Sequence, residues 1–257
     1  MNNKPIGIFD SGIGGLNVVK ELKKILPKEN IVYFGDTARL PYGSKSPDVI
    51  LGCAYESISF LRSKKVKAVV SACGTVSSLI QEAKKGFDFL FVDVLDSTCE
   101  KAINSTVNKK IGIMATVATI KSNSYKKKIK LLNDEVEVYQ IGCPLLVPII
   151  ESGISNFPKY IINNIIYKYL KYLLDFNIDT LVLGCTHYPA IINNILEITK
   201  SEIKIINSSK ETVVEVFEIL KKNDLLSQST NFGKYDFFAS KNQKNFCLKA
   251  KKFIFES

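Results

Sequence analysis

Short apolar runs rich in β-branched residues alternate with longer segments of helical spacing along most of the chain. Strands are predicted at Ile6–Phe9, Ile31–Phe34, Ala68–Ser71, Phe89–Val92, Ile111–Met114, Val136–Tyr139, Thr180–Leu183 and Ile203–Ile206. Helical spacing runs over Leu16–Leu26, Val49–Arg62, Tyr160–Phe176 and Thr212–Lys222. This alternation predicts an α/β protein with mainly parallel sheets, in which a ligand binds at the C-terminal ends of the strands.

The pattern also echoes itself. Ile6-Gly7-Ile8-Phe9-Asp10-Ser11 returns as Ile111-Gly112-Ile113-Met114-Ala115-Thr116, and Val69-Val70-Ser71-Ala72-Cys73-Gly74-Thr75 returns as Leu181-Val182-Leu183-Gly184-Cys185-Thr186-His187. The second pair is an apolar strand that ends in a small residue, then Cys, with Thr within two positions. Two related domains are expected, with Cys73 and Cys185 facing one another across the cleft between them.

Composition adds bounds. The 257 residues are 46% apolar and 23% charged, with mean hydropathy +0.08, as in an ordinary globular protein large enough to bury a core. The formal charge of +10 raises nucleic acid as a partner. Only Arg39 and Arg62 of the 35 basic residues are arginines, however, and the lysines lie in short interrupted groups that read as solvated faces, so nucleic acid is demoted. No apolar run approaches the roughly 20 residues of a membrane span, and Pro5–Phe9 is too short for a signal-peptide core. The six cysteines include no CxxC pair, so neither a metal site nor a disulfide framework is indicated, and a cytoplasmic protein with reduced thiols is expected.

Cys73 and Cys185 carry the strongest chemical signal. Each ends a buried strand ahead of an expected helix start, where backbone N–H groups and the helix dipole draw a thiol pKa from about 8.5 toward neutrality. His187, the only histidine, lies two residues past Cys185 and is placed to tune or relay a proton. A one-thiol Cys/His hydrolase would use the same local motif; a second thiol suits an enzyme that moves a proton between two faces of a carbon. Asp10-Ser11-Gly12-Ile13-Gly14-Gly15 is a glycine-rich strand-to-helix turn whose N–H groups suit an anion, although Asp10 would repel phosphate and could accept an ammonium or hold a proton for a thiol. Taken singly, Pro41-Tyr42-Gly43-Ser44 reads as a turn and Glu151 as a surface carboxylate.

Together, Phe9 to Gly15, Gly35-Asp36, Pro41-Tyr42-Gly43, Ala72-Cys73-Gly74-Thr75 and Gly184-Cys185-Thr186-His187-Tyr188-Pro189 resemble the glutamate racemases of the cysteine-dependent aspartate/glutamate racemase superfamily, up to about residue 210. The resemblance implies cofactor-independent interconversion of L- and D-glutamate for peptidoglycan, with Cys73 and Cys185 as the two catalytic thiols. It implies that Asp10 assists Cys73, and that His187 with Glu151 behind it assists Cys185. Ser11, Tyr42, Gly43, Gly74, Thr75, Thr119 and Thr186, with Asp10 and His187, match substrate-contacting positions. The implied domains are residues 1–94 plus 209–257 and residues 95–208, the C-terminal helix-rich segment returning to the first; the resemblance allows a homodimer. The chain lacks the N-terminal extension of members that need a peptidoglycan-precursor activator, so activity without one is expected. The family normally has Asn where this chain has Gly74. That departure leaves open a racemase or isomerase of another small acid, or a catalytically impaired binding or regulatory homologue.

Overall fold

The computed structural model describes residues 3–256. Their nine strands are β1 (Ile6–Asp10), β2 (Ile31–Gly35), β3 (Ala68–Ser71), β4 (Phe91–Asp93), β5 (Lys110–Ala115), β6 (Glu137–Gly142), β7 (Thr180–Leu183), β8 (Lys204–Asn207) and β9 (Tyr235–Ala239). They build two sheets, ordered β4-β3-β1-β2-β9 and β6-β5-β7-β8, and every pairing is parallel. Parallel strands need helical crossovers that cover both faces, which is why the central strands are apolar almost throughout.

In the first lobe, Ile6 and Ile8 of β1 pack with Leu16, Val19 and Leu22 of the helix Leu16–Ile25. Phe9 points to the opposite face, against Ile50, Ala54 and Leu61 of the helix Pro47–Ser63. In the second lobe, Leu181 and Leu183 of β7 meet Ile162, Ile166 and Leu170 of the helix Lys159–Leu174, while Val182 joins Ile111 and Ile113 on the other face. Both lobes therefore carry a core on each side of their sheet.

The internal echo has a structural counterpart. The order β2-β1-β3-β4 recurs as β6-β5-β7-β8, and the register recurs with it: Gly7 pairs with Val69 as Gly112 pairs with Leu181, and Ile8 with Val70 as Ile113 with Val182. Cys73 and Cys185 thus leave equivalent strands at equivalent points.

Three elements differ from expectation. β4 starts at Phe91 rather than Phe89, because Phe87, Phe89 and Phe91 form an aromatic cluster, with Phe87 and Phe89 stacked at 4.8 Å, and sheet pairing begins only at Val69↔Phe91. β6 runs on to Gly142 along the length of β5. The C-terminal segment is not helical alone: β9 pairs with β2 at the sheet edge, placing Phe237 in the core, before the helix Gln243–Phe255 covers it.

The chain passes between lobes twice, from β4 into the helix Asp96–Ser105 and from β8 into the helix Ser208–Lys222, which returns to the first core through Val213, Val216 and Leu220. Acidic groups gather at this crossing. Lys84 pairs with Asp93 at 2.6 Å and Asp96 at 2.7 Å, and Lys128 reaches Asp96 at 2.9 Å. Burial, aided by the Asp93 and Asp96 carboxylates, pushes the nearby Glu215 from its ordinary value of 4.5 up to about 7. The native state then holds a proton that the unfolded chain releases, so this group's contribution falls as pH rises from 4.5 to 7. Glu215→Gln is therefore expected to stabilise the protein at pH 8 by roughly 1–3 kcal/mol and to change little at pH 4. Urea unfolding at the two pH values checks it; equal effects at both would refute the titration. Among the described residues, no helix is long and apolar enough to cross a membrane.

Candidate active site

The C-terminal ends of β1, β3, β5 and β7 face one cavity of about 470 Å³, lined from both lobes. That volume suits a small metabolite. Cys73 and Cys185 line it at 5% and 6% exposure.

Cys73 stands at the N-cap of the helix Gly74–Leu79 without a side-chain cap hydrogen bond, and the nearby Thr75 and Val76 amides favour its thiolate. Burial and the adjacent Asp10 carboxylate outweigh those donors and push the thiol well above its ordinary value. The expected fall toward neutrality is thus corrected: a helix N-terminus cannot offset full desolvation beside a carboxylate. Asp10 Oδ2 accepts from the Gly15 amide at 2.7 Å, whereas the buried Oδ1 has no hydrogen-bond partner among the described residues. The glycine turn is therefore an acid-bearing loop with an amide committed to Asp10, rather than an open anion cradle.

Cys185 has a different companion. Its sulfur lies 3.7 Å from His187 Nδ1, and His187 Nε2 bonds Glu151 Oε1. These partners outweigh the desolvation of the ring and hold His187 protonated well above the ordinary imidazole range. The cavity thus sets one thiol beside a carboxylate and the other beside an imidazolium.

The lobes also touch through hydrogen bonds. Thr75 Oγ1 lies 2.9 Å from Thr116 Oγ1, which lies 2.9 Å from Thr119 Oγ1. Asn17 Nδ2 donates to the Thr186 carbonyl at 2.8 Å.

Residues 6–216 match the Asp/Glu/hydantoin racemase family. The chain belongs to this family. The glutamate racemase of Thermoanaerobacter pseudethanolicus is 44% identical over 256 residues, spanning 100% of this chain and 95% of its own length. Among solved structures, glutamate racemase RacE1 of Bacillus anthracis superposes with a TM-score of 0.94 at 32% identity, covering 99% of this chain and 95% of that one. The Francisella tularensis glutamate racemase, solved in complex with D-glutamate, gives 0.90 at 37% identity over 99% and 94%.

In this racemase-family chain, Ser11, Tyr42, Gly43, Gly74, Thr75 and Thr186 join Asp10, His187 and the cysteines in the cavity wall. Glu151 stands behind His187, outside the wall. Thr119 does not line the cavity; it is fully buried and reaches it only through Thr116. Thr116, missing from the sequence-predicted set, takes the wall position, and the repeat already marked it as the counterpart of Ser11. The Tyr42 hydroxyl is spent on Asp36 at 2.5 Å, which also takes Arg39 at 2.6 Å, so Tyr42 offers the cavity its ring rather than a free donor.

Gly74 has a reason the sequence does not show. A Cβ there would lie 2.2 Å from the Gly184 carbonyl oxygen, so backbone of the two lobes meets at this point. Gly14 plays a similar part: its Cβ would fall 2.7 Å from both His187 Nδ1 and Thr186 Oγ1. Expected Cys73 reactivity follows from its raised thiol. Iodoacetamide at pH 7 should leave Cys73 largely unmodified in the ligand-free racemase, with labelling rising only in alkali. Peptide mapping reads this directly, and rapid labelling of Cys73 at pH 7 would contradict the assigned protonation.

Proposed function

We propose that this protein interconverts L- and D-glutamate by two-thiol proton transfer at Cα. The observation that carries the reading is the pair of buried cysteines at equivalent strand ends, facing one cavity with chemically different companions. The relatives' names supply the substrate.

Substrate Cα sits between the two sulfurs. One thiolate removes the Cα proton, and the opposing thiol donates its own proton to the other face; the enzyme emerges with thiol and thiolate exchanged, ready for the reverse direction. The His187 imidazolium is the counter-ion for a thiolate at Cys185, and Glu151 fixes the ring. At Cys73 the unpartnered Asp10 Oδ1 accepts the substrate ammonium, whose charge offsets the carboxylate that, after burial, keeps this thiol protonated. The Thr75 and Thr186 hydroxyls in the cavity wall are disposed to hold carboxylate oxygens. The Cα–H is a weak acid, so neutralised substrate charge and excluded water are what such a site must provide. On the same reading the D-glutamate formed serves peptidoglycan synthesis in the cytoplasm.

The test is solvent exchange. Incubation with L- or D-glutamate in D2O, without pyridoxal phosphate, is expected to place deuterium at Cα from either enantiomer and to approach a racemic mixture. No exchange from either would overturn the assignment.

A further inference from the structure

Beyond the thiols and their companions, the cavity wall holds two further charged groups, Lys45 and Lys121. Lys45 follows the turn Tyr42–Ser44 in the first lobe and is half-buried; Lys121 lies near the end of the helix Val117–Ser122 in the second lobe and is exposed. They come from different lobes, and the turn and the helix that carry them lie against each other; with Lys121 exposed, the pair reaches from the cavity wall to solvent. Some lysines of this chain have carboxylate partners, among them Lys24, Lys84, Lys109, Lys128, Lys159 and Lys171. Neither Lys45 nor Lys121 makes an ion pair among the described residues. Within the wall the sole carboxylate is Asp10.

We propose that Lys45 and Lys121 form a cationic gate, one lysine from each lobe, that selects doubly carboxylated amino acids at entry and holds them in the cavity. This rests on the glutamate reading. A substrate with two carboxylates and one ammonium is a net anion, and Asp10 answers only its ammonium. His187, the other cation in the wall, already has Cys185 and Glu151 on its two ring nitrogens. The mouth lysines are the groups left to attract the anion. A low-dielectric cleft focuses the field of charges at its mouth, so two lysines there act on encounter and retention without touching the reacting atoms. Placing one on each lobe has a further effect. An anion between them is attracted by both, and a neutral amino acid gains no such attraction.

The measurement is steady-state racemisation by Lys45→Gln, Lys121→Gln and the double variant at several ionic strengths, with Lys45→Arg/Lys121→Arg as the charge-preserving control. Each single change is expected to lower kcat/KM for glutamate about 3- to 10-fold, and the double change about 30-fold or more, carried by KM while kcat stays near wild type. Added salt should depress kcat/KM of the wild type and of the Arg control but leave the double Gln variant nearly unaffected. A double Gln variant with wild-type kcat/KM and wild-type salt dependence overturns the gate, as does a loss confined to kcat. A wild-type protein that racemises no glutamate overturns the reading on which the gate rests, and the gate with it. The wild-type control thus separates the two failures.

Discussion

Cys73→Ser and Cys185→Ser are each expected to lower racemisation by at least about 10³-fold, because an alcohol is far less acidic than a thiol and its conjugate base is not available near neutral pH. The pattern of what survives is as informative as the loss. A site with a thiol on each face predicts that removing one leaves the other able to take the proton from the enantiomer presented to it and return solvent deuterium to the same face. Cys73→Ser should therefore retain slow Cα exchange without inversion for one enantiomer, and Cys185→Ser for the opposite one. Proton NMR in D2O with chiral analysis of the recovered glutamate reads both quantities. A one-thiol hydrolase would tolerate one of the two substitutions, and full racemisation by either variant would sink the two-thiol assignment.

Gly74→Ala is expected to have the second-largest effect. Its Cβ would lie 2.2 Å from the Gly184 carbonyl oxygen, a distance that backbone must open by about 1 Å to reach ordinary contact. Gly184 is the residue before Cys185, so relief of the clash displaces the second thiol from the first. A misplacement of that size lowers rate by about 10²-fold, and overpacking at a close backbone contact costs about 1–3 kcal/mol of stability. Gly74→Asn, which introduces the residue that the resemblance implies at this position, carries the same Cβ and is expected to lose activity rather than gain it. Steady-state kinetics with thermal melts tests both variants. A gain of turnover in Gly74→Asn would mean that the carboxamide outweighs the clash and that the natural protein is impaired by its absence.

The parts of this molecule that were legible in the sequence are those where one physical requirement acts on many neighbouring residues. β1, β3 and β7 are buried on both faces, and their uninterrupted apolar runs declare it. β9 packs one residue, Phe237, firmly into the core and carries Asp236 at its exposed edge, so it resembles the polar tail around it. Cys73 and Cys185 were readable because the repeat set two weak signals side by side. The same repeat sets Thr116 opposite Ser11, whereas the position the resemblance implies, Thr119, lies one turn inward and is fully buried. In the sequence Gly74 shows only the absence of a carboxamide. Its contact with Gly184 joins backbones 110 positions apart and leaves no periodic mark. Lys45 and Lys121 were hidden by number, since a chain so rich in lysine gives no hint of which ones border a cavity.

The position of β9 bears on how the chain folds as it is made. All four strands of the second sheet come from one continuous stretch, residues 110–207, and can pair as soon as that stretch leaves the ribosome. The first sheet begins earlier in the chain but finishes last. Until residues 235–239 emerge, β2 is an open edge with unpaired backbone groups, and the helix Gln243–Phe255 that covers this side is still to come. The lobe synthesised first is therefore completed only by residues 235–255, and a nascent or clipped protein without them presents β2 as a template for pairing with another copy.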